Sequence, residues 1–106
     1  PYNCWQNRIA TLRFVEDIPL KPGDPSFETV KTVQNELHRL KALPMLICWG
    51  LKDFVFTRAY LDEWRLRFPN ARVYAFGDAG HYVLEDAAET VIDRIHKFML
   101  EDRLID

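Results

Sequence analysis

Two residues suited to acid–base chemistry stand after short apolar runs: Asp53, four positions beyond Trp49, and His81, five positions beyond Phe76. A carboxylate that accepts the Nδ1 proton of an imidazole fixes its tautomer and stabilises the imidazolium formed when the other ring nitrogen takes a proton. Such a pair is an orienting acid and a general base. Each residue also has a plainer reading, Asp53 as a turn former and His81 as a structural loop histidine. A nucleophile to complete the set is missing from the sequence. Ser26 is the only serine, and the four glycines, at 23, 50, 77 and 80, flank neither a serine nor an aspartate in the manner of a nucleophile elbow. Cys48 lies inside an apolar run and Cys4 in a helical turn, so both are expected to be reduced and structural, with a disulfide between them left open.

The other titratable groups read as structural. Asp78 beside Gly80 shapes a turn, Glu85 and Asp86 serve the dipole of the helix that follows, and His38 and His96 fall on polar helix faces. Asp53, Asp78 and His81 lack the tight spacing of metal ligands, so no metal and no cofactor is expected.

The elements that must position the pair follow from periodicity. Met45 to Trp49 is uniformly apolar, as in a strand buried on both faces of a parallel sheet, and Arg72 to Phe76 is a second strand. Between them Thr57 can cap a helix with Tyr60, Leu61, Trp64 and Phe68 on one face, which Pro69 closes. Strand, helix and strand imply a parallel crossover. In such sheets active groups collect beyond the carboxyl ends of the strands, and neighbouring strands roughly 5 Å apart would bring the loops of Asp53 and His81 together.

Upstream, Asn3 and Gln6 resemble a capping pair for a helix over about residues 4 to 16 bearing Trp5, Ile9 and Leu12. Pro19 stops it. Asp24 is placed to cap a second helix with Pro25 at its first position and a stripe of Val30, Val33, Leu37 and Leu40. A final helix starts near Asp86, with Asp86 and Glu89 as a capping pair and Val91, Ile92, Ile95, Phe98 and Met99 turned inward.

The 106 residues suffice for one modest core; they are 48% hydrophobic and 28% charged, which argues for a globular chain. A formal charge of −2 provides no basic stripe for nucleic acid or anionic lipid. No apolar stretch approaches the roughly 20 residues of a membrane span, and no signal-peptide layout opens the chain, so a cytoplasmic location is expected.

The run Leu43-Pro44-Met45-Leu46-Ile47-Cys48-Trp49-Gly50-Leu51-Lys52-Asp53, followed by Asp78-Ala79-Gly80-His81-Tyr82-Val83-Leu84-Glu85-Asp86, resembles the carboxyl-terminal third of α/β-hydrolases, nearest the haloalkane dehalogenase and epoxide hydrolase branch. The likeness covers nearly the whole chain. It implies a partial α/β-hydrolase fold: residues 1–18 as the last helix of the lid, and residues 19–106 as the end of the core with the last two parallel strands and their helices. By the same likeness Asp53 is the triad acid and His81 the triad histidine, and the nucleophile, the oxyanion-hole donors and most of the lid belong to preceding sequence. The complete enzyme would hydrolyse a small apolar ester, epoxide or alkyl halide in a pocket lined by Phe54, Val55, Phe56, Tyr82 and Val83, and this chain alone would be inactive. The contrasting expectation is a free-standing α/β module with a binding or structural role. It would self-associate as a homo-oligomer through the uncovered strand edge at Met45 to Trp49, since an apolar edge without a neighbour templates association.

Overall fold

The computed structural model describes residues 3–102. Pro1 and Tyr2 of the expected lid segment and the last four residues of the expected core segment lie outside that range. The chain divides into two compact units, Pro1–His38 and Arg39–Asp106.

The first unit is helical. Helix α1 spans Trp5–Glu16 and α2 spans Phe27–Glu36, with a short 3-10 turn at Leu37–Leu40 leading out of it. Neither helix is capped as its sequence suggests. Asn3 Oδ1 accepts a bond from the Asn7 side chain at 3.2 Å, and α1 has no side-chain cap. Asp24 turns back to accept the amides of Leu20 at 2.8 Å and Lys21 at 3.0 Å, so it closes the proline-rich loop while α2 begins three residues later. The reason is competition: a carboxylate beside several free N–H groups takes those whose geometry the loop presents first. Gly23 sits in that loop at φ +99°, a conformation that side-chain-bearing residues rarely adopt. Val30 and Val33 of the apolar stripe are more than half exposed or close to it, at 50% and 59%.

The second unit contains the sheet. Strand β1 (Leu46–Gly50) pairs in parallel with β2 (Arg72–Phe76), register running from Leu46 opposite Arg72 to Gly50 opposite Phe76. Helix α3 (Arg58–Arg67) connects them, and a single turn, α4 (Val83–Asp86), precedes the long α5 (Ala88–Glu101). This is a partial α/β architecture. Among the described residues β2 is the sole strand partner of β1.

The small core is formed by Ile47, Leu61, Phe68, Ala79 and Val91. Trp64 stacks on Phe68 with ring centroids 5.7 Å apart, so the apolar face expected of α3 does pack, apart from the exposed Tyr60. In α5 the inward set is narrower than its periodicity suggests: Val91 is buried and Phe98 and Met99 half-buried, whereas Ile92 and Ile95 are exposed. Two strands offer too little surface to cover the full apolar width of a four-turn helix. The start of β2 is tied to the end of α5 by the Arg72 guanidinium, which pairs with Glu101 and, at 3.3 Å, with Asp102, and lies over the Phe98 ring. Among the described residues, no helix is long and apolar enough to cross a membrane.

Candidate active site

The parallel register decides where the two chemically competent loops emerge. Gly50 ends β1 directly opposite Phe76, the end of β2, so both loops leave the same edge of the sheet. They are then stitched together: the Leu51 amide bonds the Phe76 carbonyl at 2.9 Å, and the Lys52 amide bonds the Ala79 carbonyl at 2.9 Å. Gly50 permits this approach. A Cβ at that position would lie 2.2 Å from the Gly80 carbonyl oxygen and 2.6 Å from that of Ala79. The glycine is needed here for closeness, not for a special backbone angle.

The loops carry Asp53 and His81 into contact. His81 Nδ1 lies 3.1 Å from each carboxylate oxygen of Asp53. An ionised carboxylate only accepts, so this arrangement places a proton on Nδ1 and leaves Nε2 of the neutral ring free to take one. Asp53 is held from the other side as well, because its Oδ1 accepts the amides of Val55 and Phe56, both at 2.8 Å. The loop thus folds around the carboxylate as a tight turn. Burial works to raise the Asp53 carboxyl, but the Phe56 amide, the His81 ring and the Val55 amide outweigh it and hold the group below its ordinary range. Asp53 therefore makes both sets of contacts at once: the turn it forms also aims its carboxylate at His81.

The Asp53 side chain is only 9% exposed while that of His81 is 29% exposed, so the acid is sealed beneath a histidine whose outer edge meets the surroundings. An open cleft of about 250 Å³ lies over the pair, lined by Cys48, Trp49, Gly50, Phe56, Gly80 and Val83. Of the expected pocket residues, Phe56 and Val83 face this cleft. Phe54, 84% exposed, and Tyr82, 68% exposed, do not line the cleft, and their ring centroids lie 6.3 and 5.3 Å from that of His81. Val55 contributes its amide to Asp53 and is not part of the cleft lining.

Trp49, expected to be plain core, has a polar task. Its half-buried indole donates Nε1–H to the Phe56 carbonyl at 3.0 Å, so the loop is anchored to the end of β1 as well as to Asp53. The signal available in the sequence was a tryptophan at a strand terminus, a residue that usually finds a partner for its N–H when buried. Asp86 also departs from expectation: its Oδ2 accepts the Gly80 amide at 2.7 Å, and α5 has no side-chain cap. Asp78 is fully exposed and pairs with Lys52 at 2.9 Å, which lowers its carboxyl below the ordinary range. His38 and His96 are exposed, in line with their expected polar faces. Both cysteines are free thiols, and burial pushes the Cys48 thiol up despite the opposing influence of Arg94, which disfavours the nucleophilic thiolate. Among the described residues no group of three His, Cys, Asp or Glu side chains is arranged to hold a metal ion.

The hydrogen-bonded Asp53–His81 pair thus sits at the carboxyl edge of a parallel sheet, beneath a cleft, where the functional groups of α/β proteins collect. Residues 1–88 match the alpha/beta hydrolase fold family. The chain belongs to that family. Over 101 residues it is 52% identical to a cis-3-alkyl-4-alkyloxetan-2-one decarboxylase of Shewanella oneidensis, covering 95% of this chain and 32% of that protein. It is 41% identical over 99 residues to a protein of the same name from Xanthomonas campestris, covering 93% of this chain and 33% of that one. This α/β-hydrolase chain therefore spans about a third of the length of the curated relatives it matches. No solved structure matches it.

Proposed function

We propose that this chain supplies the acid, Asp53, and the base, His81, of an α/β-hydrolase-fold enzyme whose nucleophile lies in preceding sequence, and that the complete enzyme acts on a strained cyclic ester bearing two alkyl chains. The observation that carries the reading is the 3.1 Å contact between His81 Nδ1 and both oxygens of Asp53 beneath an apolar cleft. The choice of substrate is supported by the decarboxylase relatives, and the exposed rings of Phe54 and Tyr82 near His81 suit alkyl groups.

An oxetan-2-one is a four-membered cyclic ester. Its decarboxylation breaks the C2–C3 and O1–C4 bonds, forms a C3=C4 double bond, and releases C2 with both oxygens as carbon dioxide. No water and no net proton are consumed. A histidine that takes a proton on Nε2 and gives it back within the cycle fits this balance, with Asp53 stabilising the imidazolium formed in between. Hydrolysis of an ester, epoxide or alkyl halide, as the dehalogenase-like motifs suggest, would instead have His81 deprotonate water. The two chemistries leave different products from the same ring, an alkene in one case and a 3-hydroxy acid in the other.

A second reading draws on the edge of β1 that β2 does not pair: a self-associating module with a binding or structural role. The test is a chimera in which this chain replaces the matching third of the Shewanella relative, given a cis-3,4-dialkyloxetan-2-one, with alkene, carbon dioxide and hydroxy acid followed by gas chromatography. Alkene formation that is abolished in His81→Ala and Asp53→Ala, together with an inactive 106-residue chain, is the expected result. Turnover by the chimera that survives His81→Ala overturns the assignment, and a discrete homodimer of the isolated chain in sedimentation supports the second reading.

A further inference from the structure

We infer that Asp86 is a positioning residue for His81, gripping the chain on both sides of it so that the ring meets Asp53. This rests on the reading of Asp53 and His81 as the working pair. On the amino side of His81, the Asp86 carboxylate accepts the Gly80 amide at 2.7 Å, the short distance of a bond to a charged acceptor. On the carboxyl side, the Asp86 amide donates to the Tyr82 carbonyl at 3.0 Å, reinforced by the Glu85 amide at 2.8 Å. One residue thus holds the peptide groups on both sides of His81.

The remainder of the loop is fixed from below. The Ala79 carbonyl accepts the Lys52 amide, and the carbonyls of Ala79 and Gly80 rest against Gly50. With the Ala79–Gly80 segment seated on β1 and Gly80 and Tyr82 held by Asp86, the His81 ring has little backbone freedom with which to leave Asp53. The alternative role, a negative charge serving the dipole of α5, needs no such bond: α5 has no side-chain cap, and the carboxylate is engaged by Gly80.

The two roles make opposite demands on substitution. Asp86→Asn keeps an acceptor at the same distance and loses the charge, whereas Asp86→Glu keeps the charge and displaces the acceptor by a methylene. Kinetics are read in the chimera, and the His81 Nδ1 proton is read by nitrogen-15 NMR in both the chimera and the 106-residue chain, with His81→Gln identifying the signal. The expected outcome is that Asp86→Asn retains the hydrogen-bonded Nδ1 signal and kcat within about threefold, while Asp86→Glu and Asp86→Ala lose the signal and about tenfold or more in kcat with KM little changed, as a displacement of a catalytic group by a fraction of an ångström to an ångström entails. A reversed order, Glu tolerated and Asn not, overturns the positioning role in favour of the dipole. Retention of signal and kcat in all three variants overturns it outright. Loss of the Nδ1 signal in Asp86→Glu beside full activity in Asp53→Ala would leave the positioning role standing and refute the catalytic reading beneath it.

Discussion

Replacing Gly50 by alanine tests whether the site depends on the close meeting of the two loops. The added methyl would fall 2.2 Å from the Gly80 carbonyl oxygen, 2.6 Å from that of Ala79 and 2.8 Å from the Ala79 carbonyl carbon. All three are backbone atoms, so no flexible side chain can swing aside. Ordinary contact begins near 3.4 Å, which leaves the Ala79–Gly80 segment to retreat by about 1.2 Å, or β1 to shift by as much. The Lys52 amide to Ala79 carbonyl bond, at 2.9 Å, cannot absorb that movement, and neither can the 3.1 Å contact of His81 with Asp53. Overpacking of this kind costs about 1–3 kcal/mol in stability, and an ångström's displacement of a catalytic group costs on the order of a hundredfold in rate. Urea unfolding of the Gly50→Ala chimera should therefore show a lowered midpoint at unchanged slope, and its kcat for oxetanone opening should fall far more than the stability loss alone explains. Parent-like stability and kcat in Gly50→Ala would refute the reasoning, because the loops would then have room that the structure denies them.

The Asp53 carboxyl is depressed below the ordinary value of 3.8 in the folded state. A depressed carboxyl contributes stability that is in place above its unfolded value and is lost as pH falls through the folded one, so the Asp53 contribution is expected to persist down to about pH 4 and to fade below it. A carbon-13 titration of the Asp53 carboxyl should show its midpoint under 3.8, and a midpoint above that value would contradict the hydrogen-bond assignment. Trp49→Phe deletes the indole bond to the Phe56 carbonyl while keeping most of the apolar bulk. About 0.5–1.5 kcal/mol of stability should be lost, with a several-fold fall in activity as the Phe56 end of the loop loosens; no change in either quantity would return Trp49 to a purely apolar role.

Strands β1 and β2 and the helix between them were legible in the sequence because unbroken apolar runs and three-four spacing reflect local geometry and little else. The candidacy of Asp53 and His81 was legible for the same reason, since a loop after a parallel strand emerges at a known edge of the sheet. The acceptors were not. Asp24, Asp53 and Asp86 are alike as sequence, yet one closes a proline-rich turn, one folds a loop and orients a histidine, and one holds the peptide beside that histidine. Which N–H a carboxylate takes depends on which donors the fold leaves free within its reach, and that is a property of three-dimensional placement. Helix faces follow the same logic: periodicity marks Val91, Ile92, Ile95, Phe98 and Met99 as one apolar side of α5, but the described two-stranded sheet leaves Ile92 and Ile95 exposed. The amino-acid order by itself determined the elements and the chemical groups they carry. Only the tertiary structure decided which donors meet which acceptors, because a hydrogen bond is settled by tenths of an ångström between residues that can lie many positions apart in the chain.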